Sequence, residues 1–70
     1  MTAQTVSEEY CMGIVDGREI FNREGMELAT ERLDNLKSTC RKFAASSPAG
    51  QYLRGERDFW AHQIKKAKAQ

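Results

Sequence analysis

The feature that most constrains this chain is a line of apolar residues between Met26 and Phe43. Met26, Ala29, Leu33, Leu36, Cys40 and Phe43 follow one another at intervals of three and four. That spacing draws a heptad seam, a narrow apolar stripe down one side of a helix. A stripe so narrow stabilises little until a second helix lies along it, from the same chain or from another copy. The seam predicts a helix over 23–45 and demands a helical partner for it.

Size sharpens the demand. With 70 residues the chain is a single small domain, and cores of that size supply only about 3–5 kcal/mol. Such domains add disulfides, a metal or a second subunit. Cys11 and Cys40 are the only cysteines, and there is one histidine, His62. The four ligands of a structural zinc site are missing. The two cysteines read as free thiols, with a single Cys11–Cys40 disulfide as the alternative. Oligomerisation is then the expected supplement, a homodimer joined along Met26, Leu33, Leu36, Cys40 and Phe43.

The elements around the seam follow from local chemistry. Residues 1–8 are small and polar and read as a flexible lead-in. Over 9–21, two apolar runs flank Asp16-Gly17. Asp-Gly between such runs is a strong hairpin signal, because a type I′ turn needs positive φ at both central positions. The predicted ribbon puts Tyr10, Met12, Ile14 and Phe21 on one face and Cys11, Val15 and Ile20 on the other. Asn22 is placed to cap the first helix. Ser46-Ser47-Pro48 breaks the chain, with Ser47 as cap and Pro48 in the first turn of a second helix over 48–68. No internal repeat or low-complexity tract stands out. The expected fold is mainly α, an N-terminal β-hairpin followed by an antiparallel αα-hairpin.

Composition and motifs narrow the function. Eleven basic and ten acidic residues leave a net charge of +1, unlike a DNA-coating protein. No run approaches the roughly 20 apolar residues that span a bilayer, and the N-terminus lacks the pattern of a signal peptide, so the expected location is cytoplasmic. Asp58 lies one helical turn before His62, but no nucleophile is placed beside them. Cys40 reads as an apolar filler of the seam. Asp16-Gly17 lacks the further ligands of a calcium loop. No catalytic, cofactor or metal site is expected, and the chain reads as a non-enzyme.

Two surfaces remain. Arg54, Arg57, Lys65, Lys66 and Lys68 lie near Phe59 and Trp60 on the second helix, where basic and aromatic side chains together could grip nucleic acid. A small dimeric DNA-binding regulator is therefore one alternative, and a coiled-coil assembly module is another. A strand followed by two helices also resembles the ribbon-helix-helix repressors, although here the first helix is longer and the strand is one arm of a hairpin. Secondly, Tyr10, Phe21, Phe43, Tyr52, Phe59 and Trp60, with Met12 and Met26, exceed what a helical hairpin can bury alone. Aromatics and methionine left exposed make a partner-binding surface. Tyr10, Met12, Phe59 and Trp60 are the expected anchors, with Arg54 and Arg57 as the orienting charges.

In size, element order and the passage from Val15-Asp16-Gly17 to Arg23-Glu24, the chain resembles the small inhibitor proteins of temperate phages, and in plan the phage anti-quorum-sensing proteins. That resemblance implies a homodimer in the host cytoplasm that sequesters a LuxR-type transcriptional activator and blocks its DNA binding. It also implies a pilus-assembly ATPase as a second target. It assigns no functional residue.

Overall fold

The structure, a computed structural model, describes residues 7–69. They form three helices: α1 (Glu8–Glu24), α2 (Ala29–Cys40) and α3 (Pro48–Ala69). The class is α, and no strand occurs among the described residues. The expected hairpin over 9–21 is instead the greater part of α1, and the predicted lead-in falls almost wholly outside the described residues.

Each helix boundary has a chemical cause. Ser7 caps α1, its Oγ accepting from the Tyr10 N–H at 3.1 Å, and Glu8 and Glu9 stand in the first turn where the helix dipole favours carboxylates. Gly25 ends α1 with φ of 75° and donates its N–H to the Phe21 carbonyl at 2.7 Å. A positive φ suits glycine and few other residues, so Gly25 stops one helix where a continuous one was expected from residue 23. Asn22, the expected cap, lies inside the last turn of α1. The seam helix is correspondingly shorter than 23–45, running only from Ala29 to Cys40. Pro48 opens α3, and the Ser47 hydroxyl accepts from the Gly50 N–H at 3.0 Å.

α3 is the central element, and α1 and α2 each pack against it rather than against each other. α2 runs antiparallel to α3: Arg32 lies over Trp60, and Cys40 lies beside Arg54. Ala29 and Cys40 are buried, while Leu33 and Leu36 between them are half-buried. The partner that the seam required is α3 of the same chain.

α1 runs parallel to α3. Ser7 Oγ donates to Gln51 Oε1 at 2.9 Å near the N-terminal ends, and Phe21 meets Phe59 and Trp60 further along. The two helices touch through glycine. A Cβ on Gly13 would lie 2.1 Å from the Tyr52 carbonyl oxygen, and one on Gly55 would lie 2.1 Å from that of Tyr10. Gly17, one turn beyond Gly13, receives the Phe59 ring, which a Cβ there would meet at 3.0 Å. The residue read as the second half of a hairpin turn is thus a gap in a helix wall that an aromatic ring fills.

On either side of this crossing the helices exchange matching hydrogen bonds. The Tyr10 hydroxyl of α1 donates to Asp58 of α3, and the Tyr52 hydroxyl of α3 donates to Asp16 of α1. Tyr10, Gly13 and Asp16 have the same spacing as Tyr52, Gly55 and Asp58. The chain therefore does contain a short repeat, Tyr-x-x-Gly-x-x-Asp, and its two copies face each other across a pseudo-twofold axis between parallel helices.

The core is small. Ala29, Cys40 and Trp60 are its buried hydrophobic residues, and Trp60 is fully enclosed. Phe21, Phe59 and Trp60 pack edge to face with centroids 5.6–6.1 Å apart, an arrangement that adds roughly 0.5–1.5 kcal/mol per pair beyond burial. The Arg32 guanidinium stands 5.8 Å from the centre of the Trp60 ring and pairs with Glu24 at the end of α1. Trp60 thereby ties all three helices together.

Candidate functional site

Near-neutral overall charge conceals a segregation along the sequence. α1 carries five acidic and two basic residues, whereas residues 41–69 carry seven basic and two acidic. Part of that basic half, Arg41, Arg54 and Arg57, gathers where the end of α2 approaches the early turns of α3. There Lys37, Cys40, Arg41, Arg54 and Arg57 line a cleft of about 350 Å³. Helix spacing makes the site: Lys37 and the C-cap residue Arg41 are one turn apart at the end of α2, Arg54 and Arg57 one turn apart on α3, and the antiparallel packing sets the pairs opposite each other.

The cations of this cleft are poorly compensated. Arg57 bonds to Asp58 Oδ1 at 2.9 and 3.1 Å, and Asp58 also accepts from Tyr10. Among the described residues Lys37, Arg41 and Arg54 form no ion pair. The Nε of Arg54 is buried without a hydrogen-bond partner. Among the described residues no carboxylate lines the cleft.

A second surface lies on the side of α1 turned away from α3. Glu8, Met12, Val15 and Glu19 recur every three or four residues and are all exposed, with Met12 at 56% and Val15 at 47%. Cys11 is exposed beside Met12 and Arg18 beside Glu19. The result is a short apolar strip with charged ends. Leu28 and Phe43, in the two connections between helices, are also exposed.

Between α1 and α2, Glu56 of α3 is a half-buried carboxylate. Burial raises its pKa above the usual 4.5, the nearby Asp16 carboxylate raises it further, and Arg32 partly opposes the shift. The two tyrosines are also pushed upward, chiefly because each hydroxyl donates to a carboxylate. Tyr10 bonds to Asp58 and Tyr52 to Asp16, and Tyr52 reaches about 12.

The sequence-predicted site residues are dispersed by this fold. Met12 is exposed on the apolar strip of α1, while Tyr10 and Phe59 are half-buried between α1 and α3. Trp60, expected as a partner anchor, is completely buried and presents no surface to a partner in this fold. Arg54 and Arg57 come together in the cationic cleft. Of the expected dimer seam, Cys40 points into the α2–α3 packing and is closed to a second copy in this fold. Met26, Leu33 and Leu36 are half-buried, and Phe43 is exposed. His62 is exposed, and Asp58 is engaged by Tyr10 and Arg57 rather than by His62. Both cysteines are free thiols, Cys11 exposed and Cys40 buried.

Sequence reasoning missed the contribution of α2 to the cleft. Lys37 and Arg41 are not among the residues singled out above; the signal that finds them is their one-turn spacing at the end of the helix antiparallel to Arg54 and Arg57. Among the described residues no group of three or more His, Cys, Asp or Glu side chains could hold a metal ion, and no helix is long and apolar enough to cross a membrane. No family model matches the chain, and neither does any curated protein or solved structure compared with it.

Proposed function

We propose that this protein is a small helical binding module that works by stoichiometric occupation of a partner protein's surface. The observation that carries the reading is the strip of Met12 and Val15 on the outer face of α1. Both side chains are about half exposed in a chain that fully encloses little besides Trp60. Apolar side chains clustered on a helix face and rimmed by Glu8, Arg18 and Glu19 suit docking against another protein, where methionine adapts to an uneven surface. Phe43 and Leu28 extend the apolar surface at the connections.

The LuxR-type activator named by the resemblance is the first partner to test. The resemblance drew on a strand hairpin that these residues do not form, so the reading rests on the surface of α1. A tagged copy should retain a host protein at a fixed ratio, and a doubly substituted Met12→Glu, Val15→Glu variant should lose it while keeping its helical circular dichroism. With a purified activator, the wild-type protein should release it from its operator DNA and the variant should not. Retention of nothing at a fixed ratio, or equal retention by a folded variant, refutes the proposal. A second copy is the other protein that the strip would accept. Light scattering of wild type and variant measures that directly: a dimer that the double substitution dissociates assigns the strip to self-association.

A further inference from the structure

We infer that the cleft between α2 and α3 is an anion-binding site, and that its ligand is a dianionic phosphate monoester. This inference is independent of the apolar strip on α1. It stands on the convergence of Lys37, Arg41, Arg54 and Arg57 from two helices onto one cleft that no carboxylate lines among the described residues.

Three observations favour a bound oxyanion over a solvated basic surface. Arg54 is half-buried, its Nε is wholly buried, and no group among the described residues accepts from it. A buried donor without an acceptor is costly, and a guanidinium held beside other cations adds like-charge repulsion. A ligand oxygen that orders the side chain relieves both. Next, three of the four cations have no counter-ion among the described residues, and the fourth shares its carboxylate with Tyr10. Finally, the cleft has room for a small oxyanion. At about 350 Å³ it matches the lower end of small-molecule sites, roughly 300–1,000 Å³.

Charge and geometry select the class. Three guanidinium groups offer planar pairs of N–H donors that match phosphate oxygens, and Lys37 adds a mobile point charge. A single carboxylate would leave most of this positive charge unbalanced, whereas a phosphate monoester near neutral pH carries close to two negative charges. Lys65, Lys66 and Lys68 lie further along α3 and do not line the cleft, so the site concentrates charge at one point instead of laying a track for a strand.

The test is a titration of the full chain with inorganic phosphate, and separately with phenyl phosphate, at constant ionic strength. It is followed by NMR of the arginine Nε–H and backbone amide signals. The expected result is a saturable shift of the Arg54 Nε–H signal with both probes. Arg54→Gln and the exposed Arg41→Gln should each weaken binding about tenfold, the loss expected for a charge-assisted hydrogen bond. Lys66→Gln, outside the cleft, should leave affinity unchanged. Testing Arg41→Gln beside Arg54→Gln separates loss of the site from loss of the fold. Absence of saturation overturns the inference, as does equal weakening by Lys66→Gln. A short DNA duplex that binds more tightly than phosphate, and depends as much on Lys65 and Lys68 as on Arg41, overturns it in favour of a nucleic-acid surface. Saturation by phenyl phosphate but not by inorganic phosphate refines the ligand to an organic ester.

Discussion

Substituting alanine for Gly13 tests the α1–α3 crossing on which the fold depends. In an isolated helix the change is favourable, since alanine exceeds glycine by about 1 kcal/mol in helix propensity. At this crossing the new methyl would stand 2.1 Å from the Tyr52 carbonyl oxygen and 2.9 Å from the Glu56 nitrogen. Both are backbone atoms of a continuous helix and cannot rotate aside. α1 must therefore move outward by more than 1 Å, roughly the difference from an ordinary carbon–oxygen contact, loosening the Tyr10–Asp58 and Tyr52–Asp16 bonds on either side. Overpacking costs about 1–3 kcal/mol, and contact with backbone argues for the upper end. Set against the propensity gain, the net loss is about 2 kcal/mol, which in a domain of this size lowers Tm by about 8–16 °C.

Thermal and urea unfolding followed by circular dichroism at 222 nm measure that loss. Gly17→Ala is the matched comparison, because the group its methyl meets is the Phe59 ring, which can shift, and its loss should be clearly smaller. Gly13→Ala and Gly55→Ala should combine to less than the sum of their separate effects, since helices already parted by one methyl accommodate the second. A Gly13→Ala protein as stable as wild type, or more so, refutes the close crossing and with it the parallel packing of α1 on α3.

Other consequences follow from the polar groups around that crossing. The raised Tyr52 pKa means that the fold favours its neutral hydroxyl, so this contribution is complete below pH 10 and disappears as pH rises toward about 12. Absorbance titration at 295 nm should show delayed tyrosine ionisation, and Tyr52→Phe should reduce stability at neutral pH while removing that alkaline loss. For Glu56, whose pKa is raised chiefly by burial, ionisation works against the fold, so stability declines as pH climbs above 4.5. Glu56→Gln should be more stable than wild type at pH 7 by urea unfolding, with the difference shrinking near pH 4. Arg32→Met keeps much of the side-chain bulk but loses the cation over Trp60 and the pairing with Glu24. Loss of the contact with the ring should cost about 1 kcal/mol and shift Trp60 fluorescence, and an unchanged spectrum would count against Arg32 over the ring.

Part of this architecture was legible in the sequence because the relevant signals are local or strictly periodic. The seam residues Ala29, Leu33, Leu36 and Cys40 fix the face of α2 that turns inward, and Ser47-Pro48 marks the start of α3. The first element misled for an equally physical reason. Ile14, Val15 and Ile20 favour strands and Asp16-Gly17 favours a turn, yet those preferences are weak beside the packing of a whole helix against α3. Its discriminating signal was the spacing of Tyr10, Gly13 and Asp16, repeated at Tyr52, Gly55 and Asp58. Intervals of three alternate between the faces of a strand but share one face of a helix. Arg54 and Arg57 were visible as basic residues of interest. Their union with Lys37 and Arg41 was not, because it depends on which helices become neighbours. Trp60 resembled an exposed anchor because composition alone does not reveal which large aromatic the three helices will enclose.

The correspondence between α1 and α3 breaks at a position that bears on how the two helices pair. Tyr10, Gly13 and Asp16 match Tyr52, Gly55 and Asp58, but the next place after each aspartate holds Gly17 in one helix and Phe59 in the other. Two copies of α3 brought together by the same glycine crossing would press ring against ring, and two copies of α1 would leave a hollow where a ring belongs. Only the unlike pair fits as a bump into a dent. That mismatch favours pairing of the two unlike helices, whose tyrosine and aspartate groups are interchangeable, over pairing of either with its own kind.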